Sequence, residues 1–327
     1  MAGVGVMTVS RVLNDHPSIR PATRKKVEAA IAQLGYQQNE AARLLKGQRS
    51  KIIGLIVPDL SDVFFATCAH TVQHIARAHG YMTLVVASER DSNLEVEQAE
   101  LMAKRMISGL LLVSSITKLD ERMQRLQQLD LPMVAFDRPL VGLDTDSVLV
   151  ENRAGTEEAI AHLVGHAHRK IACIGYDEEM YTIRERIEGY KNAMHNAGLK
   201  PQIATGLATA EDVRRWFDEV WSGKNRPSAV FALNHRISIY MLELLREKGI
   251  RIPEDVAMIG FDDFDLARVI QPPLTTVAQS PVELARRSMH LLLERIRHKR
   301  EGAYDSAKIL LPARLIVRQS CGKHSHT

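Results

Sequence analysis

Cysteine is scarce in this chain: Cys68, Cys173 and Cys321 are the only three in 327 residues. An odd number of thiols, far apart in stretches that read as helix, strand and tail, excludes a disulfide-stapled secreted scaffold and fits a reducing cytoplasm. No apolar run is long enough to span a bilayer, and the N-terminus lacks the charged, apolar and small-residue succession of an export signal. A cytoplasmic protein with no membrane partner is expected. Catalytic signatures are missing as well: there is no G-x-S-x-G, no phosphate-cradling P-loop, no G-x-G-x-x-G after a strand and no cysteine pair at zinc spacing. The chain is therefore expected to be neither an enzyme nor a cofactor carrier. His70 and His74, like His162 and His166, stand four residues apart on expected helices, a spacing compatible with metal. Neither pair carries the glutamate of H-E-x-x-H, so surface histidines and no metal are expected.

The sequence does contain 45% hydrophobic residues over a length too great for one ordinary domain, enough for two sizeable cores. Its net charge of +4 is unevenly spread. Residues 1–51 hold nine Lys or Arg (such as Arg11, Arg24, Lys25 and Lys26) against Asp15, Glu28 and Glu40, a surplus of six that leaves −2 for the rest. A basic head on a near-neutral body suits contacts to phosphates, which release counterions as they are neutralised; a solvated charged helix has the same composition.

From Lys51 onward, continuously apolar runs (52–57, 81–87, 109–113, 132–136, 170–174, 228–233, 256–261) alternate with helix-period stretches (65–79, 94–106, 154–165, 184–197, 237–248). Strands apolar on both faces and separated by helices imply parallel sheets covered on both sides. The alternation restarts near residue 150, so two doubly wound lobes fit better than one very wide sheet. The run 308–318 is strand-like with no helix after it and is expected to join a sheet edge. The head reads as two short helices, Thr8–Asn14 and one opening at Pro21 with Val27, Ala30, Ile31 and Leu34 at helical spacing. That pattern suits a helix-turn-helix variant or a helical cap on the body.

The string Ala2-Gly3-Val4-Gly5-Val6-Met7-Thr8-Val9-Ser10-Arg11-Val12-Leu13-Asn14 resembles the recognition-helix signature A-G-V-S-x-x-T-V-S-R-V-L-N of the lactose-repressor (LacI/GalR) family. Leu34-Gly35-Tyr36 and Asn39-Glu40-Ala41-Ala42-Arg43-Leu44-Leu45-Lys46-Gly47 resemble that family's third helix and hinge, and the likeness continues to about residue 320. The resemblance implies a transcription repressor with a helix-turn-helix head (residues 1–38), a hinge (39–50) and two periplasmic-binding-protein type I-like lobes. The lobes are expected over 51–148 plus 281–304 and over 149–280 plus 305–320, followed by a tail (321–327). It implies that Val6, Met7 and Arg11 face base edges, Thr8 and Ser10 bond phosphates or seat the helix, Asn14 completes the DNA-binding segment, and Leu45 wedges into the minor groove. It also implies that the chain opens inside the turn after the family's first helix, so a poorly packed head and weak DNA binding are expected.

The same resemblance gathers Asp62, Phe64, Phe65, Asp137, Arg138, Arg186, Asn234, Asp262 and Gln279 into an effector pocket, mostly where strands end or helices begin. Carboxylates accept, guanidinium forks donate and amides do both, which is what recognition of vicinal hydroxyls needs; the phenyl rings would cover a sugar's C–H face. Two arginines leave room for an acidic group. The implied partners are operator DNA, a sugar or sugar-acid effector and a second copy of the chain. A cytosolic or exported sugar-binding protein without a DNA role is the alternative. Arg186→Ala and Asp262→Ala are expected to abolish effector response while leaving folding nearly intact. His235 departs from the family's Asp at that position, and either a change of effector or a solvent-facing side chain accounts for it.

Overall fold

The computed structural model describes residues 2–13, 18–34, 49–223, 225–298 and 305–322. The chain divides into two compact units, Met1–Ser50 and Lys51–Thr327. In the first, α1 (Val6–Leu13) packs on α2 (Pro21–Leu34). Gly5 supplies the carbonyl that accepts the N–H groups of Thr8 and Val9, opening α1 without a side-chain cap. Val12 and Val27 are buried.

The second unit is a pair of α/β lobes. The first runs β1 (Ile52–Val57), α3 (Val63–Ala78), β2 (Met82–Ala87), α4 (Ser92–Lys104), β3 (Gly109–Leu112), α5 (Glu121–Gln127), β4 (Met133–Phe136), β5 (Asp146–Val150). The second runs α6 (Asn152–Gly165), β6 (Ile171–Ile174), α7 (Tyr181–Asn196), β7 (Gln202–Ala204), α8 (Ala210–Trp221), β8 (Ala229–Ala232), α9 (His235–Glu247), β9 (Ala257–Phe261), α10 (Asp265–Val269), β10 (Thr275–Ala278). The chain then returns to the first lobe as α11 (Pro281–His298) and ends in β11 (Lys308–Leu311) and β12 (Arg314–Ile316). The strand orders are β11-β5-β4-β3-β1-β2 and β12-β10-β9-β8-β6-β7, so the two sheets repeat one topology. No described helix is long and apolar enough to cross a membrane.

The apolar runs form strands because both of their faces are covered. On β1, Ile53, Leu55 and Val57 pack against α3 and α11, whereas Ile56 joins the core built with α4 and α5. The second sheet divides likewise: Cys173, Phe231, Ile259 and Phe261 face α6 and α7, and Ile174, Val230, Ala232 and Met258 face α8 and α9.

The C-terminal run departs from the expectation of a single strand within the second lobe. β11 pairs parallel with β5 of the first sheet, and β12 pairs antiparallel with β10 of the second. Pro312, between them, has no N–H for a ladder, which ends one pairing and lets the chain cross. Residues 308–311 therefore belong to the first lobe. The lobes are joined by three short connections, at 151, 279–280 and 312–313.

Candidate functional site

Each lobe ends its fourth strand in the same way. β4 closes with Phe136 and continues to Asp137 at φ +64°; β9 closes with Phe261 and continues to Asp262 at φ +74°. The Asp137 N–H still donates to Val148 O on β5 (3.0 Å), and that of Asp262 to Val277 O on β10 (2.9 Å). The left-handed conformation is one that aspartate adopts more readily than most side chains, at a cost of about 1–2 kcal/mol. The same left-handed conformation thus recurs at the carboxyl ends of both open sheets, where such folds place ligands.

The helices that follow the strands add the rest. Asp62 caps α3, its carboxylate accepting the Phe64 N–H at 3.0 Å, and Asn234 caps α9 by accepting the Ile237 N–H at 2.9 Å. Arg186, on α7, is 3% exposed and pinned on several sides. Its Nε donates to Asn152 Oδ1 (2.7 Å), its Nη1 donates to Leu233 O (2.6 Å), Nη2 lies 3.8 Å from Asp262 Oδ1, and its guanidinium sits 3.6 Å from the centre of the Phe261 ring. Gln279 Nε2 donates to Asp262 Oδ1 at 2.6 Å. In the first lobe Arg138 Nε lies 3.3 Å from Asp137 Oδ2, an ion pair without an aligned hydrogen bond.

All nine residues expected at the pocket line one cavity of about 60 Å³ between the lobes. A second compartment of about 330 Å³ shares Arg90, Arg138, Tyr176 and Met180 with it. Gln279 Oε1, the Tyr176 hydroxyl and Arg138 Nε are buried there without a hydrogen-bond partner among the described residues. Buried polar atoms are seldom left so, and three around one cavity suit a ligand that brings donors and acceptors. The first compartment alone is far smaller than ordinary ligand pockets of roughly 300–1,000 Å³, so a ligand must part the lobes or occupy both spaces.

The sequence left His235 undecided between effector choice and solvent, and Arg90, Tyr176 and Arg236 went unnoticed; all four line the cavity. They bridge the lobes. His235 Nε2 stands 3.9 Å from Asp62 Oδ1 across the cleft and its Nδ1 3.6 Å from Asp262 Oδ2. Arg236 donates to Asp59 Oδ2 at 3.4 Å, and Lys118 to Glu179 at 3.0 Å. The Arg90 guanidinium lies 5.7 Å from the Tyr176 ring centre.

Burial opposes charge throughout, and the partners decide the outcome. Burial pushes Asp137 up despite Arg138 and Arg186, and pushes Asp62 up despite His235. For Asp262 burial also acts upward, but Arg186, His235 and Gln279 outweigh it and hold the carboxyl below its usual range. Burial likewise disfavours the His235 cation, yet Asp262 and Asp62 overcome both it and neighbouring Arg236, raising His235 above its usual 6.5. A raised folded-state value gives stability that is fully present below 6.5 and is lost as pH rises through that value, where buried Asp62 loses its countercharge. We expect the Tm difference between the natural chain and His235→Asn to be largest in mild acid and to shrink toward alkaline pH. A difference independent of pH would remove the bridge from the account.

In the head, Val6 and Met7 are 86% and 71% exposed, and Ser10 and Arg11 are exposed beside them on α1. Thr8 is half-buried. Two exposed apolar side chains with an arginine make a surface able to press thymine methyls and donate to a base edge or a phosphate. Asn14, Leu45 and most of the hinge lie outside the described residues.

Comparison with known proteins follows this division. Residues 1–39 match the family described as bacterial regulatory proteins, lacI family, and residues 160–321 match the periplasmic binding protein-like domain. The HTH-type transcriptional repressor PurR of Haemophilus influenzae is 33% identical over 323 residues, 98% of this chain and 96% of that protein. The solved complex of the transcriptional regulator CelR with cellobiose is 29% identical with a TM-score of 0.72, covering 98% of this chain and 97% of that one. The Lac repressor dimer bound to operator and an anti-inducer has the same fold, with a TM-score of 0.80 at 23% identity over 98% of this chain and 97% of that one.

Proposed function

This chain belongs to the lacI family of bacterial regulatory proteins, and on that premise we propose that it is a homodimeric cytoplasmic repressor whose hold on operator DNA is set by a sugar or sugar-acid effector bound between its lobes. Its family members are transcriptional regulators and not enzymes. The effector reading is carried by one observation: nine side chains from both lobes, supplying carboxylates, guanidinium groups, amides and two phenyl rings, meet at a single cavity. This mixture suits a ring with vicinal hydroxyls, which must be offered acceptors and donors together. Arg90 and Arg138 border both compartments, so an acidic group on the effector would be held there.

Because the cleft is bridged by ion pairs, a ligand that favours either the closed or the parted arrangement shifts the relation between lobes and, through the hinge, the spacing of two heads on a near-palindromic operator. Linkage makes the effect reciprocal, so effector and operator change each other's affinity by the same factor. The test begins with a thermal-shift screen of sugars, sugar acids and nucleobases, where a ligand at 100 times its Kd adds about 2.7 kcal/mol. Operator affinity is then measured by fluorescence anisotropy with and without the ligand found. Asp262→Asn is expected to weaken that ligand by about tenfold or more, since it replaces a charge-assisted acceptor worth roughly 1.5–3 kcal/mol. Unchanged affinity in Asp262→Asn and Asp137→Asn would place the effector elsewhere, and equal operator binding with and without ligand would remove the allosteric half of the reading.

A further inference from the structure

We propose that His162, His166 and Cys321 form a site for a borderline-soft divalent transition metal, with Zn²⁺ as its natural probe, at the end of α6 remote from the cleft. The imidazoles stand four apart on the last turn of α6 and at its C-cap, and the thiol comes from the chain's C-terminal segment, 159 residues beyond His162. The three donor atoms all lie within 4.8 Å of one another, His162 Nε2 and Cys321 Sγ being 3.0 Å apart. Around a tetrahedral ion, Zn–N and Zn–S bond lengths place ligand atoms roughly 3.3–3.6 Å from each other, so small side-chain rotations suffice. Two nitrogens and a sulfur select zinc and its neighbours over magnesium or calcium, and leave a fourth position for water.

The surroundings fix the donors in place. Ser320 is locked between β9 and β10: its hydroxyl donates to Met258 O (2.5 Å) and accepts from Thr275 N (2.8 Å), and its carbonyl accepts from Met258 N (2.8 Å). Thr275 Oγ1 lies 3.3 Å from Cys321 Sγ, and a hydrogen bond joins the His168 ring to the backbone of Cys321. Gly322, at φ +118°, turns the chain away; a Cβ there would come within 3.3 Å of His166 Nδ1. Hydrogen bonds that hold a ligand's backbone and ring in place from behind are what a preorganised metal site requires. The unpaired carbonyls of a helix C-terminus favour a cation as well, shared here with Arg169, whose Nη1 donates to Val164 O at 2.9 Å. Occupancy would clamp the chain end to α6, the helix whose other end carries Asn152, the partner of Arg186.

Titration of the metal-free 327-residue chain with Co²⁺ tests the site, because a thiolate-to-cobalt charge-transfer band reports sulfur ligation. It ignores histidine-only binding at His70 and His74 or at His324 and His326. One equivalent per chain is expected to give that band with the visible bands of four-coordinate cobalt, and Zn²⁺ should bleach both. The charge-transfer band should vanish in Cys321→Ser, and affinity should fall by about tenfold or more in His162→Asn and in His166→Asn, with circular dichroism unchanged. In a parallel melt, Zn²⁺ should raise the Tm of the natural chain and not of Cys321→Ser. Absence of the band, or its survival in Cys321→Ser or in the double histidine variant, would overturn the assignment.

Discussion

Arg186→Ala is expected to abolish the effector response and at the same time to destabilise the second lobe by roughly 3–5 kcal/mol, the range for removing one partner of a buried charge network. The sequence alone suggested that response would fail while folding survived. The geometry argues otherwise, because the guanidinium is tied to the protein before any ligand arrives. Its loss strands Asn152 Oδ1 on α6, the Leu233 carbonyl at the end of β8 and the carboxylate of Asp262, all in or beside the cleft, and leaves a void over the Phe261 ring. Each stranded group adds to the penalty, and none can turn to water while the lobes stay closed. Arg186→Lys keeps the charge but not the fork, so it should recover part of the stability and little of the response. Urea unfolding followed by circular dichroism, set beside ligand-induced Tm shifts, separates the two effects. A change in unfolding free energy below about 1 kcal/mol for Arg186→Ala would mean that its hydrogen bonds are replaced by water at no net loss.

The cleft was legible because its residues interrupt strong local signals. Asp137 and Asp262 each follow an apolar strand, and Asn234 and Asp62 stand where helices begin, so a polar residue at a sheet's carboxyl end is visible without knowing the fold. The resemblance then gathered them. His235 was not legible: it sits at the first position of α9, and its meaning depends on Asp62, which only the closing of one lobe on the other brings near. Cys321 reads as tail for the same reason, since its neighbours are His162 and Thr275. Continuous apolar runs revealed the parallel strands, whereas β7, three residues with no buried side chain, lacks the pattern that marks its neighbours. The run 308–318 looked like one strand because its apolar residues continue past Pro312, and only the presence of two sheet edges shows why the chain divides there.

Gly189→Val is expected to lower stability by roughly 1–3 kcal/mol or more and to weaken effector binding without touching the ligand. Two effects compete at this position. Glycine inside a helix is about 1 kcal/mol less favourable than alanine, so on α7 alone any side chain should help, although valine's branched Cβ forfeits much of that gain. Against this, a Cβ at 189 would lie 2.4 Å from the Arg153 carbonyl oxygen and 3.0 Å from Thr156 Cβ, where α6 and α7 cross. Backbone cannot yield as a side-chain tip can, so the helices must part. Parting them also lengthens the 2.7 Å bond from Arg186, three residues before Gly189, to Asn152, one residue before Arg153, which transmits the change to the cleft. Gly165→Ala is the control, for nothing lies within 4 Å of a Cβ there and α6 should gain or stay level. Urea midpoints that rise or hold for Gly165→Ala but fall for Gly189→Ala and further for Gly189→Val would show that helix approach, rather than propensity, governs the position. Equal behaviour of the two glycines would mean that the α6–α7 crossing tolerates separation and that the Arg186–Asn152 bond does not depend on it.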